Sequence, residues 1–270
     1  MNVTLALSGG SLKGAVHVGV LKALEEKGHK VGAVAGVSAG SVVGALYASG
    51  TTVSEIEKAF LGLKKPSDLY DFAYGHYLAN IFRPWRLQGL IKGDRLEGLI
   101  RRNLKCRLFE ETPIPLVIVV VDLRTGQRLA ITSGDIATAV RASSAIPGVF
   151  FPKVVGQKIL FDGSLAEPLP IDALHELPRK DMKRGGSSTI TIAVDVLDTD
   201  PDPASPPKWL IDYASAGIDM LLQTITDLRL SDERRVTLLK PPTGRVGLFD
   251  FDRIPDLIEL GYRTTKKVLG

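Results

Sequence analysis

Five residues constrain this chain more than any others: Gly36-Val37-Ser38-Ala39-Gly40. They follow an apolar run at residues 31–35 and open a small-residue segment at 41–49 that has the pattern of a helix. A strand, a sharp turn with glycine on both sides and then a helix is the setting of a nucleophile elbow. The glycines let the backbone bend with no Cβ in the way. Ser38 would then project from the turn, with a helix N-terminus beneath it that favours negative charge. A glycine-rich turn carrying an idle serine fits the same five residues, so the rest of the chain has to decide.

A second glycine-rich loop precedes it. Residues 2–7 predict a strand, Ser8-Gly9-Gly10-Ser11-Leu12-Lys13-Gly14 a loop, and residues 15–27 a helix. Such a loop aims backbone N–H groups at an anion. It is not a dinucleotide fingerprint, because Ser11 stands at the middle glycine of G-x-G-x-x-G. It is not a Walker loop, because Lys13 is followed by Gly14 rather than Ser or Thr. An oxyanion hole remains, with the amides of Gly9, Gly10 and Ser11 as donors, each worth roughly 10²–10³ in rate. Farther on, residues 158–161 predict a strand that delivers Asp162-Gly163-Ser164. A carboxylate at a strand end fits an active site, and a plain Asp-Gly turn fits it too.

Strand patterns at 2–7, 31–35, 115–122, 128–132, 158–161, 189–196 and 236–239 alternate with helix patterns at 15–27, 41–49, 53–63, 94–103, 136–143, 170–177, 209–229 and 255–269. That order predicts an α/β fold with a mostly parallel sheet. Residues 180–188 and 198–207 are polar or proline-rich loops. With 270 residues, 44% of them hydrophobic, the chain is long enough for one sizeable core. We therefore expect residues 1–270 to form a single domain. No apolar run approaches the ~18 residues of a membrane span. Residues 1–8 lack the basic region and long apolar core of a signal peptide, so cytoplasmic residence is expected. The single Cys106 excludes an internal disulfide or a cysteine-based metal site. A net charge of +4 is too small to argue for nucleic acid as a partner.

Residues 62–92 stand apart. They hold six of the seventeen aromatic residues, Tyr70, Phe72, Tyr74, Tyr77, Phe82 and Trp85, interrupted by Gly and Pro, so one long regular element is not expected. Residues 62–107 carry ten Lys or Arg against four Asp or Glu. This is a candidate lid or cap. Aromatic and basic residues together suit an anionic lipid surface at the inner face of a membrane, and an ordinary solvated face with a satellite aromatic cluster has the same composition.

Three stretches together resemble the patatin-like phospholipase family in its compact bacterial form: 8–24, 36–44 and 119–196. The family's glycine-rich loop is similar to Gly9 through Gly14, its GxSxG elbow to Gly36 through Gly40, and its Asp-Gly-Gly/Ala to Asp162 through Ser164. The run Val140-Arg141-Ala142-Ser143-Ser144-Ala145-Ile146-Pro147-Gly148 is also very like the family's. The resemblance implies a three-layer fold with a central, mostly parallel sheet flanked by helices. It implies a Ser38–Asp162 dyad, a Gly9–Ser11 oxyanion hole supported by Lys13 and Gly14, no metal and no cofactor, and a phospholipid, lysophospholipid or other lipid ester as substrate. Ser11 departs from a glycine usual in the loop, Lys13 stands where the family often has Arg, and Ser164 replaces the usual Gly or Ala. The histidines agree with a dyad: of His17, His29, His76 and His175 only the last follows Asp162, and it falls in a helix pattern. A thioesterase or acyltransferase with the same dyad, or a catalytically idle lipid-binding protein, remains an alternative. Oligomeric state is left open.

Overall fold

The computed structural model describes residues 2–83, 88–178, 189–197, 210–230 and 236–270, without the side chains of 189 and 210–216. The loops expected at 180–188 and 198–207, and Trp85, lie outside the described residues. The strands are β1 (Asn2–Leu7), β2 (Lys30–Gly36), β3 (Leu116–Asp122), β4 (Gln127–Ile131), β5 (Lys153–Val155), β6 (Lys158–Asp162), β7 (Thr189–Val194) and β8 (Val236–Leu239). The helices are α1 (Ala15–Glu26), α2 (Ala39–Ala48), α3 (Val53–Leu61), α4 (Pro66–Leu69), α5 (Tyr74–Ala79), α6 (Asp94–Asn103), α7 (Ile136–Ser143), α8 (Ile171–His175), α9 (Leu210–Leu230) and α10 (Ile254–Leu269).

One sheet runs β5-β6-β3-β2-β1-β7-β8, with β4 also paired to β3. The pairs among β3, β2, β1, β7 and β8 are parallel, and β4, β5 and β6 join antiparallel. Both faces are covered. Val3, Leu5, Leu7, Ile118, Val120, Ile192 and Val194 point into one core, with α1, α2, α3, α6, α7 and α10 above them. Ala6, Ala35, Val117, Val119 and Ala193, the alternate positions, point into the other, with α8 below. A strand buried on both sides has no polar face, which is why residues 116–121 form one continuous apolar run. The three layers expected from the sequence are present.

The largest helix contact is α1 against α10, and it is nearly backbone to backbone. A Cβ on Gly19 would stand 1.8 Å from the Ile258 carbonyl oxygen, and one on Gly261 2.1 Å from that of Val16. This packing anchors the helix that follows the loop at residues 8–14. The parallel strands β1 and β2 end side by side, at Leu7 and Gly36. Functional loops of such sheets lie beyond the carboxyl ends of the strands. The segment 62–92, expected as a cap, contains the short helices α4 and α5; Phe72 bridges Ile91 within it, and Ile91 bridges Phe150 of the body.

Candidate active site

Ser38 stands where β2 turns into α2, which begins at Ala39 rather than at residue 41. Its backbone lies at φ 50°, ψ −122°, a region that costs an L-residue of order 1–3 kcal/mol. Packing enforces it. A Cβ on Gly36 would stand 2.7 Å from the Gly40 carbonyl oxygen, and one on Gly40 2.2 Å from that of Leu7. The two motif glycines thus let α2 start hard against the ends of β1 and β2. The Ser38 N–H donates to Ser143 Oγ at 2.8 Å, and the Ser143 hydroxyl donates to the Val119 carbonyl at 2.7 Å. Ser143 closes α7, whose start is fixed by Asp135 accepting the Thr138 N–H at 2.8 Å and by both guanidinium nitrogens of Arg101 on that same carboxylate.

Asp162 ends β6 opposite Val120, is 3% exposed, and donates its N–H to the Ala145 carbonyl at 3.0 Å. The next residue, Gly163, lets the chain cross β3 closely, since a Cβ there would stand 2.2 Å from the Val119 carbonyl oxygen. Oδ1 of Asp162 accepts the Ser164 N–H at 2.8 Å, and the Ser38 side chain lies beside the same carboxyl. Burial pushes the Asp162 pKa up to about 6, while the Ser38 side chain and the Ser164 amide pull it back. Ser38 and Asp162 are therefore brought together, with β3 setting both positions.

The loop at residues 8–14 differs from the expectation at Gly9 and at Lys13. The Gly9 N–H donates to the Pro168 carbonyl at 3.1 Å, so it is not an oxyanion donor. Gly9 supplies space instead. A Cβ there would stand 2.4 Å from Ser164 Oγ and 3.2 Å from Ser38 Cβ. The amides of Gly10 and Ser11 donate to no other backbone carbonyl among the described residues. Gly14 likewise allows close approach, its Cβ position lying 2.5 Å from that of Ala39. Lys13 is buried rather than presented to the site, and its charge, with that of Arg245, partly offsets the burial that raises the Asp219 carboxyl.

A family model for patatin-like phospholipases matches residues 5–175. The chain belongs to the patatin-like phospholipase family. It is 30% identical over 209 residues to an uncharacterized NTE family protein of Mycobacterium tuberculosis, covering 75% of this chain and 51% of that one. It is 26% identical over 300 residues to human patatin-like phospholipase domain-containing protein 6, covering 99% of this chain and 20% of that one. The chain thus spans about half the length, or less, of these curated relatives. Among solved structures it is similar in fold to VipD from Legionella pneumophila, with a TM-score of 0.54 and 14% identity over 99% of this chain and 66% of that one.

The patatin-like match contains every residue of the site described so far, from the loop at 8–14 to Asp162 and Pro168. A pocket opens on Ser38. Its walls come from α2 (Val42, Leu46), α3 (Ala59, Phe60) and α6 (Leu96, Leu99, Ile100), closed by Leu63, Leu69, Ile146 and Phe150. Only Ser11, Ser38, Tyr70, Asn103 and Ser144 bring polar atoms to it. Such a lining suits a hydrocarbon chain.

The histidines take other positions. His17 is fully buried, its Nε2 lies 3.0 Å from the Ser8 carbonyl, and desolvation lowers its pKa to about 4. It is a neutral brace beneath the loop. His76 stacks edge-on to Phe151 at 5.2 Å, and His175 is exposed on α8. Among the described residues, no three His, Cys, Asp or Glu side chains converge as metal ligands would. Sequence reasoning gave no role to Ser143, which fixes Ser38. Nor did it give one to Arg141, buried at 2% exposure, which donates to the carbonyls of Lys92 and Phe151 and so ties the cap to the body. Both lie in the run 140–148, whose likeness to the patatin-like family was the available signal.

Proposed function

We propose that the chain is a serine acyl hydrolase of lipid esters, with Ser38 as nucleophile and Asp162 as general base. The observation that carries this reading is the buried Asp162 carboxyl beside the Ser38 side chain, which the turn between β2 and α2 holds at positive φ. Ser38 Oγ attacks the ester carbonyl while its proton passes to Asp162. The oxyanion is taken by the amides of Gly10 and Ser11 and by the N-terminal end of α2. The tetrahedral intermediate collapses as Asp162 returns the proton to the leaving alcohol. Water then attacks the acyl-enzyme, again losing its proton to Asp162, which passes it to the departing Ser38 Oγ as the free acid is released. An ordinary aspartate, with a pKa of about 3.9, is a weak base near neutrality. A carboxyl raised to about 6 is still ionised at pH 7 and accepts a proton far more readily.

The apolar pocket would hold the acyl chain. A lipid surface would be met by the cap, where Tyr74 is 70%, Leu78 73%, Ile81 64% and Phe82 89% exposed. Apolar patches of this kind mark interaction sites, and the basic excess over 62–107 suits anionic headgroups. No described helix is long and apolar enough to cross a membrane.

The deciding experiment is hydrolysis of p-nitrophenyl esters of graded chain length, with chelator present, by the wild type beside Ser38→Ala. Activity that rises with chain length and vanishes in the variant is the expected result. Equal activity in both proteins would exclude Ser38 as nucleophile. A preference for acyl-CoA over all oxygen esters would replace the reading with a thioesterase.

A further inference from the structure

The pocket that opens on Ser38 has a direction. Ala39, Val42 and Leu46 line it from one face of α2, and Leu96, Leu99 and Asn103 from one face of α6. Ala39 adjoins Ser38, and Leu46 lies two turns farther on, about 10 Å at a rise of ~1.5 Å per residue. The far ends of the two helices are tied together. The Thr51 N–H donates to the Leu46 carbonyl at 3.1 Å, and the Thr51 hydroxyl donates to the Asn103 carbonyl at 2.8 Å. The Lys105 N–H donates to Ser49 Oγ at 3.3 Å beside them. Leu46 and Asn103 therefore mark the end of the pocket that is remote from Ser38.

A second cavity lies behind that end. It is a groove on the outer surface between α3 and α6, lined by Glu55, Lys58, Arg102 and Lys105. Ala59, Leu63, Leu99 and Asn103 line both spaces. One layer of side chains, three apolar and one amide, thus separates a hydrocarbon-lined interior from a charged exterior. The Asn103 amide is pinned, its Nδ2 donating to the Leu99 carbonyl at 2.8 Å. Outside it, Lys105 pairs with Glu55 at 2.6 Å. A methylene that stays inside the pocket gains by leaving water. One pushed against the amide or the ion pair strips polar groups of water instead, which costs free energy.

We infer that Ala59, Leu63, Leu99 and Asn103 form the wall that stops the acyl chain, so that the site selects an acyl group of medium length. This rests on the acyl hydrolase reading above. A staggered hydrocarbon with bonds of ~1.5 Å advances about 1.3 Å per carbon, so a run of about 10 Å takes about eight carbons before the tail meets the wall. Shorter chains leave part of the pocket unfilled. Longer ones have to part the wall and enter the groove.

The test is kcat/KM on monomeric p-nitrophenyl esters from butyrate to dodecanoate, for the wild type, Ala59→Leu, Leu99→Ala and Ser38→Ala. Each profile is normalised to butyrate, which ends short of the wall, so a loss of folded protein does not move it. The rise with chain length is expected to stop near octanoate in the wild type. Leu99→Ala opens the wall to the groove and should move the optimum longer by at least about two carbons. Ala59→Leu thickens the wall and should lower the octanoate rate about fivefold relative to butyrate. An optimum at the same length in the wild type and both wall variants, or a wild-type rate that still climbs from octanoate to dodecanoate, overturns the inference, while butyrate hydrolysis that depends on Ser38 leaves the acyl hydrolase intact. Butyrate hydrolysis equal in the wild type and Ser38→Ala overturns the hydrolase reading, and the role of the wall with it.

Discussion

Ser38 and Ser11 both stand at positive φ, and their surroundings come from different parts of the molecule. Ser38 is held from the body. Its amide is bonded to Ser143, Ser143 is bonded to β3, and the flanking glycines let α2 press against the ends of β1 and β2. Ser11 faces a pocket that Tyr70 of the 62–92 segment also lines, with the Tyr70 hydroxyl anchored on the Leu248 carbonyl. The proposed nucleophile and base are therefore set by the sheet, where Val119 of β3 takes the Ser143 bond and Val120 pairs with Asp162. The pocket beside them is closed in part by Leu63, Leu69 and Tyr70, from a segment that the sheet does not contain. Changes near β3 should abolish or cripple catalysis, whereas changes in the cap should tune it.

The largest effect is expected at Asp162. Asp162→Asn keeps an acceptor for the Ser164 amide and removes the base, so kcat should fall by about 10²–10⁴ with the fold retained. Circular dichroism beside ester turnover checks it, and turnover within a few-fold of wild type would end the dyad. Ser143→Ala comes next. It leaves the Ser38 N–H and the Val119 carbonyl without their shared partner, and an unpaired buried group costs about 1–3 kcal/mol. Both the melting temperature and kcat should drop. If Ser143→Ala left kcat untouched, the elbow would not be braced from β3. On the cap, Leu78→Glu with Phe82→Glu should lower the ratio of vesicle to soluble-ester hydrolysis several-fold. A constant ratio would remove the cap from lipid docking.

The division between body and cap also explains what was legible in the sequence. Gly36, Gly40 and Gly163 stand where a Cβ would strike a backbone carbonyl. Steric demands of that kind are local, so they leave a pattern in consecutive residues. The buried strands are equally legible, because both faces of β3 are covered and the apolar run is unbroken. The supports are not legible. Ser143 lies 105 residues from Ser38, and Leu248 lies 178 residues from Tyr70. A hydrogen bond across such distances imposes no period or spacing on the chain. The Gly9 amide shows the same limit. A glycine-rich loop announces free N–H groups, but nothing within the loop tells that the Pro168 carbonyl takes one of them. The exposed residues Leu78, Ile81 and Phe82 carried only composition, since an aromatic and apolar segment has the same letters whether it packs inward or faces solvent.

The smallest effect is in stability, and it separates the chemistry of the body from its folding. Burial raises the Asp162 carboxyl from 3.8 to about 6, so the native state favours the protonated form. Its stabilising contribution is full below the unfolded value of 3.8 and is lost as pH rises through about 6. Glu167, raised by burial to about 7, adds a loss of the same sign slightly higher on the scale. The base works only when ionised, so kcat should climb with pH through about 6 and then level, over the range in which the fold weakens. Asp162→Asn removes the ionisation and leaves Glu167 in place. It should melt above the wild type at pH 7.5, with the gap closing as the pH is lowered towards 4. Melting curves of the two proteins across that range test the point. A gap independent of pH would mean that Asp162 does not titrate there, and the burial at the end of β6 would then not be what prepares it as a base.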